Sequence, residues 1–99
     1  MTINPGFRLE QYTLKQPQEV LLVQIEVNGE ADEIAIFRGM SSSLMRPTAF
    51  DLDIPVLPAN ASIIGIDRLE GPYDPSMPRY RQRGLSWTEF EPLLQAVGV

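Results

Sequence analysis

The chain contains no cysteine and no histidine. The first absence excludes disulfides and thiolate nucleophiles. Together they exclude Cys/His zinc sites and every Ser-His or Cys-His arrangement. The commonest general base near neutral pH is missing as well, and Lys15 is the only lysine. Carboxylate chemistry is what remains, so the expected class is non-enzymatic, with no cofactor and no metal. Long apolar runs are absent too: Val20 to Val23 is strand-sized, whereas a membrane-spanning helix needs roughly 18 apolar residues. Residues Met1 to Gly6 show neither a basic n-region nor an apolar h-region, so no signal peptide is read and a cytoplasmic location is expected.

What is present describes an ordinary globular chain. With 99 residues, 43% of them hydrophobic and 21% charged, one domain spanning residues 1–99 is expected. The net charge of −5 disfavours binding to nucleic acid through long-range electrostatics. The charge is unevenly placed. Five acids lie between Glu19 and Glu33, whereas Arg79, Arg81 and Arg83 alternate in a stretch without acids.

Local patterns predict the elements. From Phe7 to Lys15, Phe7, Leu9, Tyr12 and Leu14 change phase, which reads as a strand with a bulge near Glu10-Gln11. In Glu19 to Val27, Val23, Ile25 and Val27 alternate with Gln24 and Glu26, the pattern of a half-buried strand. Asn28-Gly29 marks a hairpin turn, with Glu30-Ala31-Asp32 extending the loop and a return strand from Glu33 to Arg38. Residues 40–61, with three consecutive serines and three prolines, read as an ordered loop packed across the sheet, with room in it for a short strand or turn. Ala61 to Glu70 is the next strand, with Gly65 marking a bulge or a close backbone approach. A short edge strand fits Arg79 to Arg83.

The last element is a helix. Ser86 and Glu89 form a capping box, Leu85 and Phe90 a hydrophobic staple. Trp87, Phe90, Leu93, Leu94 and Val97 recur at helical spacing, and Pro92 either kinks the helix or restarts it. The expected fold is therefore α+β: a small antiparallel curled sheet or partly open barrel of four to five strands, with one C-terminal helix.

Four groups of residues are candidates for function. In an extended Arg79–Arg83, period-two geometry places Arg79, Arg81 and Arg83 on one face and Tyr80 on the other. Three guanidiniums so placed suit a partner's carboxylates or phosphates; the competing reading is a solvated edge that resists pairing. Arg38-Gly39-Met40-Ser41-Ser42-Ser43, with Arg46, could cradle an anion, although no phosphate-loop pattern is present and a plain loop is favoured. Asp51, Asp53, Asp67 and Glu70 do not match a calcium-loop spacing and read as surface carboxylates. Leu44, Met45, Phe50, Ile54, Val56 and Leu57 either pack in the core or form an exposed interaction patch.

Two stretches carry a resemblance. Met45-Arg46-Pro47-Thr48-Ala49-Phe50-Asp51 with Pro55-Val56-Leu57-Pro58, and Ile66-Asp67-Arg68-Leu69-Glu70-Gly71-Pro72-Tyr73 with Leu85-Ser86-Trp87, resemble a small uncharacterised domain family of cyanobacteria and plastids. The resemblance implies a photosynthetic source with a cytosolic or stromal setting, and assigns no catalytic or binding residues.

The expected function is a non-enzymatic protein-binding module, an assembly factor or accessory subunit of a larger complex. Its surface would combine Arg79, Tyr80, Arg81 and Arg83 with Leu44, Met45, Arg46 and Phe50, and with Trp87. The alternative is a small barrel binding RNA or single-stranded DNA through Arg79, Arg81, Arg83 and the nearby aromatics. A carboxylate-based hydrolase using Asp51 or Asp53 is the third reading. Exposed strand edges are compatible with a homodimer.

Overall fold

The alternation in residues 19–27 builds the centre of the fold. In the computed structural model, which describes residues 5–43, 61–74 and 76–99, strand β1 (Glu19–Val27) is flanked on both sides. On one side lie β2 (Glu30–Phe37) and then β3 (Met40–Ser43); on the other lie β4 (Ser62–Glu70) and then β5 (Tyr80–Leu85). The sheet order is β3-β2-β1-β4-β5, every pairing is antiparallel, and the sheet does not close on itself. Helices α1 (Pro5–Lys15) and α2 (Trp87–Ala96) complete an α+β fold.

The Asn28-Gly29 turn is tighter than expected from sequence. Val27 pairs directly with Glu30, so the turn has two residues, both with positive φ (53° and 80°), and Glu30-Ala31-Asp32 belongs to the ladder. The same geometry recurs at Arg38-Gly39 (φ 50° and 81°), where Phe37 pairs with Met40. The short strand that the expected loop had room for is consequently at its start, Met40 to Ser43. Gly39 is held by more than its φ: its N–H donates to Thr13 Oγ1 at 2.8 Å, and a Cβ there would stand 2.9 Å from Leu14 Cδ2. The remainder of the expected loop, residues 44–60, lies outside the described residues.

The N-terminal segment is a helix, which corrects the bulged strand. The apparent change of phase is a 3.6-residue period: Gly6, Leu9, Tyr12 and Thr13 are buried together, while Phe7 and Leu14 are about half exposed. Pro5 sits where a helix tolerates it, Lys15 occupies the last turn, where a cation suits the helix dipole, and Pro17 follows. Burial of one helical face overrides the β propensity of the phenylalanine and tyrosine.

Both helices cover one face of the sheet. Leu9 and Tyr12 from α1, with Phe90 and Leu94 from α2, pack on Leu21, Val23, Ile25, Ile34, Ile36 and Ile66. Tyr12 meets Phe90 edge-on at 5.0 Å between ring centroids. Ser86 caps α2, and Glu89 closes the capping box by returning its carboxylate to the Ser86 N–H at 3.0 Å. Leu85 and Phe90 enter the same buried cluster, as a staple requires. Pro92 lies inside α2 without ending it. The opposite face carries a smaller cluster, Val20, Leu22 and Leu69, with Ala35, Phe37 and Tyr73 against it. No helix among the described residues is long and apolar enough to cross a membrane.

Candidate functional site

Period-two geometry fails where it matters most. Ile66 pairs with Leu85, Arg68 with Gln82 and Leu69 with Tyr80. Between the first two pairs β5 has two residues where β4 has one, and between the last two it has one where β4 has none. Each irregularity is a β-bulge, a device that re-aims side chains and increases local twist. Gly84, at φ +67°, sits in the first, with its N–H donating to Asp67 Oδ1 at 2.8 Å.

The bulges part the arginines, which corrects their expected alignment on one face opposite Tyr80. Arg81 turns toward the helix-covered side, 3.1 Å from Glu70 and 3.7 Å from Glu19. Arg83 lies on the other face, its guanidinium 4.2 Å from the centroid of the Tyr80 ring. Arg79 precedes the strand; its carbonyl accepts the Glu70 N–H at 2.9 Å, and its side chain has no hydrogen bond or ion pair among the described residues. Trp87 is half-buried at the start of α2, packed on the helix-side core with the Arg8 guanidinium 5.7 Å from its ring, and so stands apart from Tyr80. Leu44, Met45, Arg46 and Phe50, like Asp51 and Asp53, lie outside the described residues.

On the face opposite the helices, three adjacent strands contribute a joined polar group. Gln24 Nε2 donates to Glu33 Oε2 at 2.9 Å and, more weakly, to Asp67 Oδ2 and the Leu22 carbonyl, both at 3.4 Å. With Tyr80, Arg83 and Gly84 these residues line a depression of about 450 Å³. A second depression of about 450 Å³ adjoins it, sharing Gln24 and Glu33 and walled by Ile25, Ala31 and Ile64. Asp67 is only 7% exposed, so its reading as a surface carboxylate is corrected.

Two of the three serines proposed as an anion cradle, Ser41 and Ser43, are engaged with carboxylates. Ser41 donates to Glu10 at 2.6 Å, and Ser43 Oγ is 3.0 Å from Asp32 Oδ1. Arg38 lies over the Phe37 ring at 4.9 Å and donates to the Pro17 carbonyl. Among the described residues, no group of His, Cys, Asp and Glu is placed to hold a metal ion.

Sequence reasoning missed one centre entirely. Glu19, 2% exposed, accepts from Arg68 Nε at 2.8 Å and Nη2 at 3.1 Å. The Tyr12 hydroxyl lies 3.0 Å from both of its oxygens. Arg68 also donates to Gln82. Burial, together with the negative charge of Glu19, pushes the Tyr12 hydroxyl up to about 12, and the hydrogen bond to Glu19 raises Arg68 further. Glu19 shares a strand face with Leu21, Val23 and Ile25; a carboxylate at the head of an apolar stripe was the available signal. Glu19 and Tyr12 are enclosed at its centre, and the group ties α1, through Tyr12, and β5, through Gln82 and Arg81, to the sheet.

The model of a family described as a domain of unknown function (DUF7734) matches residues 6–94. No curated protein and no solved structure matches the chain.

Proposed function

The chain belongs to the DUF7734 family, and on that premise we propose that it is a non-enzymatic protein-binding module, an assembly or accessory subunit of a larger complex. Its contact surface is the sheet face opposite the helices, bounded by the Tyr80–Arg83 rim. The observation that carries this reading is the double bulge in β5, which turns Arg83 over Tyr80 beside Gln24, Glu33 and Asp67. A charged, twice-bulged edge resists backbone pairing, so β5 offers its side chains to a partner. Arginine and tyrosine are the residue types that concentrate binding energy at interfaces, and the cation–π contact holds Arg83 in place before binding. The resemblance of residues 45–58 and 66–87 to a cyanobacterial and plastid family supports a partner in the cytosol or stroma of a photosynthetic cell.

The nucleic-acid alternative is weaker. Arg83 already occupies one face of the Tyr80 ring, and the chain carries a net charge of −5.

The test is affinity capture from such a lysate, with and without nuclease, using wild type, Arg83→Glu and Arg79→Glu, all matched by circular dichroism and melting temperature. A protein retained by wild type and Arg79→Glu but lost by Arg83→Glu, whatever the nuclease treatment, is the expected result. Equal retention by Arg83→Glu, or no protein retained by wild type, overturns the assignment.

A further inference from the structure

The apolar depression beside the Gln24 group points to the kind of segment this face accepts. Its wall is made by Ile25, Ala31 and Ile64. Ile64 is 62% exposed because the β1–β4 register shifts there: Gln24 pairs with Gly65 and Ile25 with Ile63, leaving Ile64 unpaired between them. An isoleucine turned outward by a bulge, at the mouth of an apolar groove, is a surface made for contact.

The charges around the groove decide what fits it. Glu26 and Glu33 border it, and Asp67 lies in the adjoining depression. None of these three carboxylates forms an ion pair among the described residues. The neighbouring cation, Arg83, is held over Tyr80 instead. Gln24, donating to both Glu33 and Asp67, orients their carboxylates without neutralising them. An acidic segment would meet repulsion from Glu26 and Glu33, with Arg83 lining only the adjoining depression, whereas a lysine or arginine next to an apolar residue finds complementary charge and an apolar wall together.

We infer that this groove, taken as part of the protein-binding face proposed above, accepts an extended basic-apolar segment of a partner protein. An apolar side chain seats against the exposed Ala31 and Ile64, and an adjacent lysine or arginine side chain reaches Glu33 and Glu26. Gln24 is a positioning residue that holds the Glu33 carboxylate toward the groove.

The test uses three labelled synthetic peptides of equal length, built on alternating Lys-Leu, Glu-Leu and Ser-Leu, titrated into the whole chain. Amide shifts are read by two-dimensional NMR and affinity by fluorescence anisotropy. The Lys-Leu peptide is expected to saturate, to move the amides of Gln24, Glu33 and Ile64, and to bind more weakly as salt rises. Replacing both border carboxylates, Glu26→Gln with Glu33→Gln, weakens it about tenfold, as loss of two rim contacts to a dicationic probe implies. Ile64→Ser, at an exposed site that leaves the fold intact, weakens all leucine-bearing peptides alike. Equal affinity for the Glu-Leu peptide, shifts elsewhere on the chain, or indifference to the Gln pair overturns the inference, as does self-association of the free chain that the Gln pair abolishes. If capture from lysate depends on Arg83 while these peptides fail, the binding-module reading stands and only the basic-apolar partner falls.

Discussion

Glu19→Gln is the substitution whose consequence follows most directly from the structure. It removes a carboxylate that is 2% exposed and leaves Arg68, its bidentate partner, with a side chain only 18% exposed. Gln can accept one of the two Arg68 hydrogen bonds, but it supplies no charge to the guanidinium. Breaking a buried pair by neutralising one member typically costs about 3–5 kcal/mol. Because Arg68 retains Gln82 and some water, about 3 kcal/mol is expected here. For a domain of this size that corresponds to a fall in melting temperature of roughly 12–24 °C. Arg81→Ala supplies the contrast: its contacts to Glu70 and Glu19 are at the rim, with the side chain 39% exposed, and its loss costs at most about 1 kcal/mol. The assay is urea unfolding followed by circular dichroism, with Arg68→Met and the Glu19→Gln/Arg68→Met pair closing a double-mutant cycle. A coupling of about 1–3 kcal/mol is expected, since the double variant leaves no unpaired buried charge. A Glu19→Gln cost below about 1 kcal/mol, or additivity within error, would show that the buried pair between β1 and β4 does not stabilise the fold.

Two further outcomes follow from the same framework. The folded Tyr12 hydroxyl is raised from 10 to about 12, so the folded state favours its neutral form. That contribution is complete below pH 10 and disappears as pH rises from 10 to 12; stability measured across this window should fall, and in Tyr12→Phe the fall should be shallower, with the latest-ionising tyrosine gone from the ultraviolet titration. Gly39→Ala should destabilise by about 1–3 kcal/mol, because it places a side chain at φ +81°, while the half-exposed Leu14 side chain that its Cβ meets can move aside. An unchanged melting temperature would refute the reading of Gly39 as required by the left-handed backbone of that turn.

The parts legible in the sequence were those governed by neighbouring residues. Ser86 and Glu89 meet because they stand three positions apart at the start of a helix, and the Asn28-Gly29 turn forms because that pair accepts positive φ; both lie where the pattern placed them. Val23, Ile25 and Val27 alternate because a strand does, whatever packs on it. The α+β class followed from such local agreements. The N-terminal helix was misread because Phe7, Tyr12 and Leu14 favour strands by propensity, while which of them is buried depends on where the sheet lies. Arg38-Gly39 carried the same turn chemistry as Asn28-Gly29, but without an apolar alternation after it the strand Met40–Ser43 gave no signal of its own.

The candidate site was less legible, for a physical reason. Gln24, Glu33 and Asp67 are brought together by strand register, which is set by the whole ladder rather than by any one segment. The sequence determined that this chain has no thiol or imidazole chemistry, that it is acidic, and that three of its eight basic residues alternate between Arg79 and Arg83. Only the tertiary structure decided which of those residues face the same way. Two bulges in β5 sent Arg81 inward to Glu19 and Arg83 outward to Tyr80, because each inserted residue reverses the face of everything beyond it.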